Sequence, residues 1–336
     1  MLIFISEFLT SGAWDGQVSD SLFDEGRAML LAFVEDAARI RGVRVVTTWD
    51  QRLGQFPLPD VDVRVINSPQ KEATMFRHLA RKSDTVFVIV PETDNLLLER
   101  YDSVHKVNGQ WAGAARLSIE RCTDKLLTAR TLVDAGVPTI PTIRLDLVPD
   151  DCQFPLVVKP RDGAGAVETC IVGTHDELRD LSLTQSAESY IAQPWIEGTA
   201  VSAFCVATGN QPHLFPVAGQ QIETDHRMKY VGGHMPLDVD VQQLVEDGLH
   251  AIGAQVGHFG IDIIIPAHGQ APRIVEINPR LTTSYLGYRQ ITRDNMAERI
   301  LFPERFGSSI ELNGRSVQFD SRGITSPPTA STETLQ

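Results

Sequence analysis

The segment Val275-Glu276-Ile277-Asn278-Pro279-Arg280 sets a carboxylate, an amide and a guanidinium in one short run. Side chains alternate faces along a strand, so Glu276 and Asn278 share one face while Val275 and Ile277 point into a core. Pro279 then ends the strand by removing a donor. Upstream, Ile261-Asp262-Ile263-Ile264-Ile265 carries a single carboxylate in an apolar run. An unpaired buried carboxylate is costly, so Asp262 calls for hydrogen-bond donors, a cationic partner or a metal. If the two strands are hairpin neighbours through residues 266–272, Asp262 and Glu276 lie side by side. Two carboxylates and an amide oxygen are hard ligands suited to Mg2+ or Mn2+, whereas zinc would call for His or Cys. An ordinary ion pair of Glu276 with Arg280 or Arg273 would account for the same residues.

A second run, Val157-Val158-Lys159-Pro160-Arg161-Asp162-Gly163-Ala164-Gly165-Ala166, delivers a lysine at a strand end and follows it with a Gly-rich loop. Such a loop offers an ammonium and free backbone N–H groups to a polyphosphate. Taken alone the pattern is common, and it is neither the P-loop nor the dinucleotide fingerprint.

Elements must hold these groups. The first hundred residues alternate apolar runs (2–5, 43–46, 61–65, 85–90) with helical stretches such as Asp24 to Ile40, which implies βαβ units and a mostly parallel sheet. A helix over 126–135 is expected after the N-cap pair Thr123-Asp124, ending at Gly136. Residues 154–197 are β-rich, a helix is expected over 242–256, and strands over 200–207, 261–265 and 273–277. The Ser-, Thr- and Pro-rich run from Ser321 to Gln336 reads as a disordered tail.

The 336 residues carry 30 Lys and Arg against 43 Asp and Glu, a formal charge of -13, so nucleic acid and anionic membranes are poor partners. Met1 to Leu9 is apolar but short, contains Glu7 and lacks a basic flank, so it reads as a buried strand in a cytoplasmic protein. Cys122, Cys152, Cys170 and Cys205 are scattered without a C-x-x-C pair, as expected of reduced cysteines. The spacing of His226, His234, His258 and His268 contains no H-x-x-x-H pair, and none is assigned to a metal.

Taken in order, Thr123-Asp124-Lys125, Val158-Lys159-Pro160 with its glycines, Gln193-Pro194-Trp195-Ile196-Glu197-Gly198, Lys229-Tyr230, Gly260-Ile261-Asp262 and Glu276-Ile277-Asn278-Pro279-Arg280 resemble the ATP-grasp superfamily. The resemblance spans about two thirds of the chain. It implies an α/β (α+β) fold: an N-terminal parallel-sheet pre-ATP-grasp domain (1–115), a central helix and small β-rich lid (116–197, lid about 150–197), a larger C-terminal α+β domain (198–315) and a tail (316–336). It also implies ATP and two Mg2+ or Mn2+ ions as cofactors. Lys125 and Lys159 would hold the α and β phosphates, with Gly163 and Gly165 in the loop over them. Gln193, Trp195 and Ile196 would form the adenine hinge. Glu276 would bridge the ions, with Asp262 on one and Asn278 on the other, and Lys229 and Arg280 would meet the γ-phosphate and acyl phosphate. His226 and Arg227 would help close over the phosphates. Two departures stand out: Gln193-Pro194 replaces the usual polar pair before the hinge, and Ala200 stands where relatives carry a ribose-binding Glu, a role reassigned to Glu197 or a neighbour.

Within the superfamily, Ser6-Glu7-Phe8, Asp24-Glu25-Gly26-Arg27-Ala28-Met29-Leu30 and Pro91-Glu92-Thr93-Asp94-Asn95-Leu96-Leu97 look most like the tyramine–glutamate ligase group of methanofuran-type cofactor synthesis. The second of these reads equally as the start of an amphipathic helix. The implied activity joins a small-molecule carboxylate, the γ-carboxylate of glutamate, to an aromatic amine, with Glu92, Asp94, Ser284 and Tyr285 at the substrates. A homodimer is the assembly to test. Ligases for other amino-acid or dipeptide substrates, and a non-catalytic nucleotide-binding protein, are the competing readings.

Overall fold

The structure, a computed structural model, describes residues 1–16, 20–163, 165–166, 168–209, 211–225, 227–324 and 329–330. Ala164, His226 and most of the tail lie outside these residues, and with them the expectation for His226.

The N-terminal domain is a four-stranded parallel sheet in the order Asp62–Ile66, Arg44–Asp50, Leu2–Glu7, Thr85–Ile89. Ile3, Phe4 and Ile5 are all fully buried because helices cover both faces, which is why this strand reads as a continuous apolar run. Phe33 of helix Asp20–Ala38 stacks on Phe87 on one face. Phe76 of helix Pro69–Lys82 meets Phe4 edge-on on the other. That second helix starts where expected of its residues, with the Ser68 hydroxyl accepting the Lys71 N–H and proline in the first turn.

The second sheet runs, in spatial order, through Arg273–Asn278, Val256–Pro266, Gly198–Thr208, Val217–Asp225 and Arg227–Leu237, then Cys170–Val172, Leu156–Pro160, Tyr190–Pro194 and Ile143–Arg144. Its two halves join at a narrow seam, where Arg227 pairs with Cys170 and the Met228 N–H donates to the Thr169 carbonyl. The smaller half has its own core of Leu145, Leu156, Val158, Val172, Tyr190 and Ala192. A cleft opens between the halves.

Helix Lys125–Asp134 forms as its ends dictate: the Asp124 carboxylate accepts the Leu126 and Leu127 N–H groups, and Gly136 takes a φ of +73° beyond the other end. The helix expected over 242–256 is shorter, Gln242–Ala251, because Gly253 at φ +72° turns the chain into the strand that starts at Val256. The expected tail also needs correction. Residues Arg315–Asp320 form a strand against Arg227–Leu237, with Val317 and Phe319 buried at alternate positions. That alternation marks a half-buried strand and removes residues 316–320 from the expected tail. Among the described residues, no helix is long and apolar enough to cross a membrane.

Candidate active site

The acidic hairpin forms as its two strands predict. Val256–Pro266 and Arg273–Asn278 pair antiparallel and Asp262 stands opposite Glu276. A β-bulge follows: Ile263 pairs with Ile274, so Val275 is the extra residue. The bulge corrects the expected alternation, since Ile274 and Ile277 fill the core while Val275 lines the cleft beside Glu276.

Asp262 is held by amide donors, Gln220 Nε2 at 2.9 Å and Asn278 Nδ2 at 3.2 Å. Burial raises its pKa and the neighbouring Glu276 charge adds to the rise, against the Ser202 and Asn278 hydrogen bonds and Lys159. Burial also pushes Glu276 upward, but Lys125 and Lys159 more than reverse it and hold this carboxyl below its ordinary value. Lys159 Nζ lies 3.3 Å and Lys125 Nζ 3.8 Å from Glu276 Oε2. Burial lowers the pKa of Lys159, with Glu276 opposing the shift and Lys125 adding to it.

These two lysines come from different elements. Lys159 ends the strand Leu156–Pro160, and Lys125 opens the helix, its Nζ donating to the Gly163 carbonyl at 2.8 Å. Arg161 ties the same loop to Asp124, the helix cap. Gly163 at φ +125° and Gly165 at φ +72° take conformations that side chains resist, so the loop over the lysines depends on glycine there. The loop also touches the N-terminal domain, where the Asp94 N–H donates to the Asp162 carboxylate at 2.9 Å.

The cleft has a volume of about 620 Å3. Lys125, Lys159, Gly163, Gly165, Gln193, Trp195, Ile196, Asp262, Glu276, Asn278, Arg280 and Ser284 all line it, so most of the residues singled out by sequence converge there. Its far wall is the strand pair Val217–Asp225 and Arg227–Leu237, which contributes Gln220, Ile222, Thr224, Met228 and Tyr230.

Five expectations are corrected. Lys229 is exposed and stands opposite Glu223 on the outer face, because Met228 and Tyr230 take the cleft side and a strand alternates. Glu197 is likewise exposed and absent from the cleft lining, so it is no substitute for a ribose carboxylate. Tyr285 is fully buried, donating to Asp36 Oδ2 at 2.7 Å and packing on Phe33. Glu92 is buried behind Arg280, accepting its Nε–H at 2.7 Å, and supports that guanidinium rather than lining the cleft. Asp94 is exposed and enters only through its main-chain N–H.

Sequence reasoning passed over Gln220, whose amide fixes Asp262, and did not separate Glu25 from its helix. For Gln220 no local signal exists. For Glu25, a carboxylate followed directly by glycine inside a helix was the available clue.

The titration of Asp262 carries a stability prediction. Its folded pKa is raised above the ordinary 3.8, so its contribution is fully present below that value and is lost as pH rises through the raised one. In EDTA, the urea midpoint of the wild type should therefore fall relative to Asp262→Asn between about pH 4 and about pH 7. Parallel curves would refute the raised pKa of Asp262.

Residues 43–119 match the pre-ATP-grasp 3 domain and residues 122–284 match the ATP-grasp domain. The chain is 22% identical over 311 residues to a tyramine–L-glutamate ligase of Methanocaldococcus fervens, covering 90% of this chain and 93% of that one. It is 28% identical over 192 residues to a D-alanine–D-alanine ligase of Methylococcus capsulatus; that match covers 49% of this chain and 59% of the relative, less than two thirds of its length. The crystal structure of an ATP-grasp superfamily protein from Archaeoglobus fulgidus superposes with a TM-score of 0.70 at 23% identity, over 95% of this chain and 92% of that one, a likeness of fold. Fold, cleft and both domain matches coincide: the chain belongs to the ATP-grasp superfamily, as a pre-ATP-grasp domain followed by an ATP-grasp domain.

Proposed function

We propose that the protein is an ATP-dependent carboxylate–amine ligase that works through an acyl phosphate. The observation that carries this reading is the convergence of Asp262, Glu276 and Asn278 with Lys125, Lys159 and Arg280 in one cleft. The tyramine–L-glutamate ligase likeness, which runs over 90% of the chain, supports the γ-carboxylate of L-glutamate and tyramine or a similar aromatic amine as substrates.

The donor set fits a hard divalent cation. Asp262 and Glu276 stand side by side, one with its pKa raised partly by the other, and a cation between them would relieve that repulsion. Among the described residues no group of three or more His, Cys, Asp or Glu could hold a metal, so an ion here would complete its shell with the Asn278 oxygen, water and phosphate oxygens. Asp262, Glu276 and Asn278 would hold two Mg2+ or Mn2+ ions, with Glu276 shared, and these would neutralise charge on the transferring phosphoryl group.

The chain's own residues align and neutralise. Lys125 and Lys159, now paired with Glu276, would turn to the α and β phosphates. The Trp195 N–H is taken by the Pro155 carbonyl at 2.9 Å, which supports the main chain at Ile196 as the donor to adenine. Thr199 and Ser202 supply hydroxyls beside Ala200, where the ribose would lie. The substrate carboxylate oxygen attacks the γ-phosphorus and the bond to the β-phosphate oxygen breaks, leaving ADP. Arg280 would meet the phosphoryl oxygens, since burial opposes its charge but Glu92, Glu25 and Glu276 keep the guanidinium protonated. The amine then attacks the acyl carbon and phosphate departs.

Incubation with ATP, Mg2+, L-glutamate and tyramine should release ADP and yield a γ-glutamyl amide by mass. ADP release only with other carboxylate and amine pairs would change the substrates. ATP binding without turnover on any pair would overturn the enzyme reading.

A further inference from the structure

We infer that Glu25 is the group that receives the amine substrate, holding its ammonium and taking the proton that must leave before attack. This rests on the ligase reading above. Glu25 belongs to the N-terminal domain, yet its side chain lines the cleft beside Arg280, Thr283 and Tyr230 and is only 8% exposed. Its hydrogen-bond partners among the described residues are neutral hydroxyls, Thr283 Oγ1 at 3.1 Å and Ser21 Oγ at 3.3 Å. The direct carboxylate partner of Arg280 is Glu92, so among the described residues no cation is bonded to Glu25, which faces the cleft as a carboxylate. A carboxylate in that state has lone pairs left for an incoming N–H group.

The fold holds the helix of Glu25 at two points, beside Glu25 itself and near its C-terminal end. The Glu7 carboxylate accepts the Leu9 N–H, the Thr10 N–H and the Thr10 hydroxyl at 3.1, 2.8 and 2.7 Å, and the helix rests on it at Gly26. Further along, Asp36 accepts from Tyr285 and Arg289, which fastens the helix to helix Tyr285–Ile291 just after Thr283. The segments containing Ser6-Glu7-Phe8 and Asp24 to Leu30 thus act together to aim one carboxylate.

Its position suits the second half of the reaction. Arg280 senses the charges of both Glu276 and Glu25, so Glu25 lies near the guanidinium assigned to the acyl phosphate. Amines reach the site as ammonium ions, which are not nucleophiles. One N–H proton passes to a Glu25 oxygen and the freed lone pair attacks the acyl carbon. The bond from that carbon to the phosphate oxygen breaks, phosphate leaves with the electron pair, and the second amine proton goes to phosphate. Burial raises the pKa of Glu25, against Thr283, Arg280 and Ser21, which favours accepting a proton.

Hydroxylamine separates this role from others, because it is uncharged at neutral pH and traps acyl phosphates without a base. With full-length protein, ATP, Mg2+ and L-glutamate, Glu25→Gln should lower kcat/KM for tyramine by about a hundredfold or more, while hydroxamate formation falls by less than about threefold. Thr283→Val, which removes one hydroxyl from the carboxylate, should lower the amide reaction selectively but less. Equal loss of both reactions in a Glu25→Gln protein that still binds ADP, or undiminished amide formation, would overturn the assignment. If Glu25→Gln does not fold, Glu25→Asp must show the same selective loss, and equal losses there overturn it too. A wild type that forms no hydroxamate with any carboxylate would instead overturn the ligase reading itself.

Discussion

Glu276→Gln is expected to reduce ADP formation by about a thousandfold or more, and to destabilise the nucleotide-free protein at the same time. The catalytic loss follows from the position of Glu276 between the Asp262 carboxylate and the two lysines. The stability loss has a separate cause. Lys159 and Lys125 have side chains only 9% and 11% exposed, and Glu276 is the carboxylate both approach. Without its charge the ammonium groups face each other in a low-dielectric cleft, and the already lowered pKa of Lys159 falls further. Breaking such a pair costs about 3 kcal/mol. ATP or ADP supplies replacement anions, so saturating nucleotide should restore much of the lost Tm without restoring turnover. ADP formation at the wild-type rate in a folded Glu276→Gln protein would remove the metal assignment.

Arg280→Met is expected to be nearly as severe and to fail in a different way. Its guanidinium bonds Glu92, whose side chain is 4% exposed and whose Oε1 already lacks a hydrogen-bond partner among the described residues. Removing the arginine leaves that carboxylate buried and unpaired, at a cost of about 3–5 kcal/mol. Turnover should fall by about a hundredfold or more from the lost contact to the transferring phosphoryl group. Arg280→Lys keeps the charge but not the planar fork, and should recover only part of either property. The double variant Arg280→Met, Glu92→Leu separates the two effects, since an apolar pair can replace a buried ion pair at little net cost. It should denature near the wild-type urea midpoint and remain inactive. Recovery of activity in the double variant would show that Arg280 acts through structure alone.

The seat of the N-terminal helix offers a milder test. Gly26→Ala would put a Cβ 2.6 Å from Glu7 Oε1 and 2.8 Å from its Cδ. Glu7 is fully engaged by three hydrogen bonds and cannot swing aside. Alanine ordinarily stabilises a helix over glycine by roughly 0.5–1 kcal/mol. Here overpacking of about 1–3 kcal/mol should reverse the sign, read as a lower urea midpoint.

The features legible in sequence were those set by neighbours along the chain. The cap at Asp124 and the stop at Gly136 framed the helix that presents Lys125, and apolar runs spaced by helices announced the parallel sheet. The facing of Asp262 and Glu276 followed from two strands joined by a short connection. Two expectations failed because they depend on the geometry of the sheet: strict alternation at Val275, and the cleft position of Lys229 that the family resemblance implied. The bulge after Asp262 turned Val275 to the cleft, and the register of Arg227–Leu237 sent Lys229 outward.

By itself the sequence determined the chemistry available: two carboxylates and an amide on adjacent strands, lysines at the ends of a strand and a helix, and glycines where a loop needs positive φ. Only the tertiary structure decided which of those groups meet. Thr283 reaches Glu25 across 258 residues, Arg280 reaches Glu92 across 188, and Gln220 reaches Asp262 across 42. Local propensity is blind to such pairs: the first two depend on how two separate sheets dock, and the third on the order of strands within one sheet. The docking is fixed by burial of the apolar faces of helices Asp20–Ala38 and Tyr285–Ile291 in a shared core, and the polar contacts of the site form wherever that packing brings them.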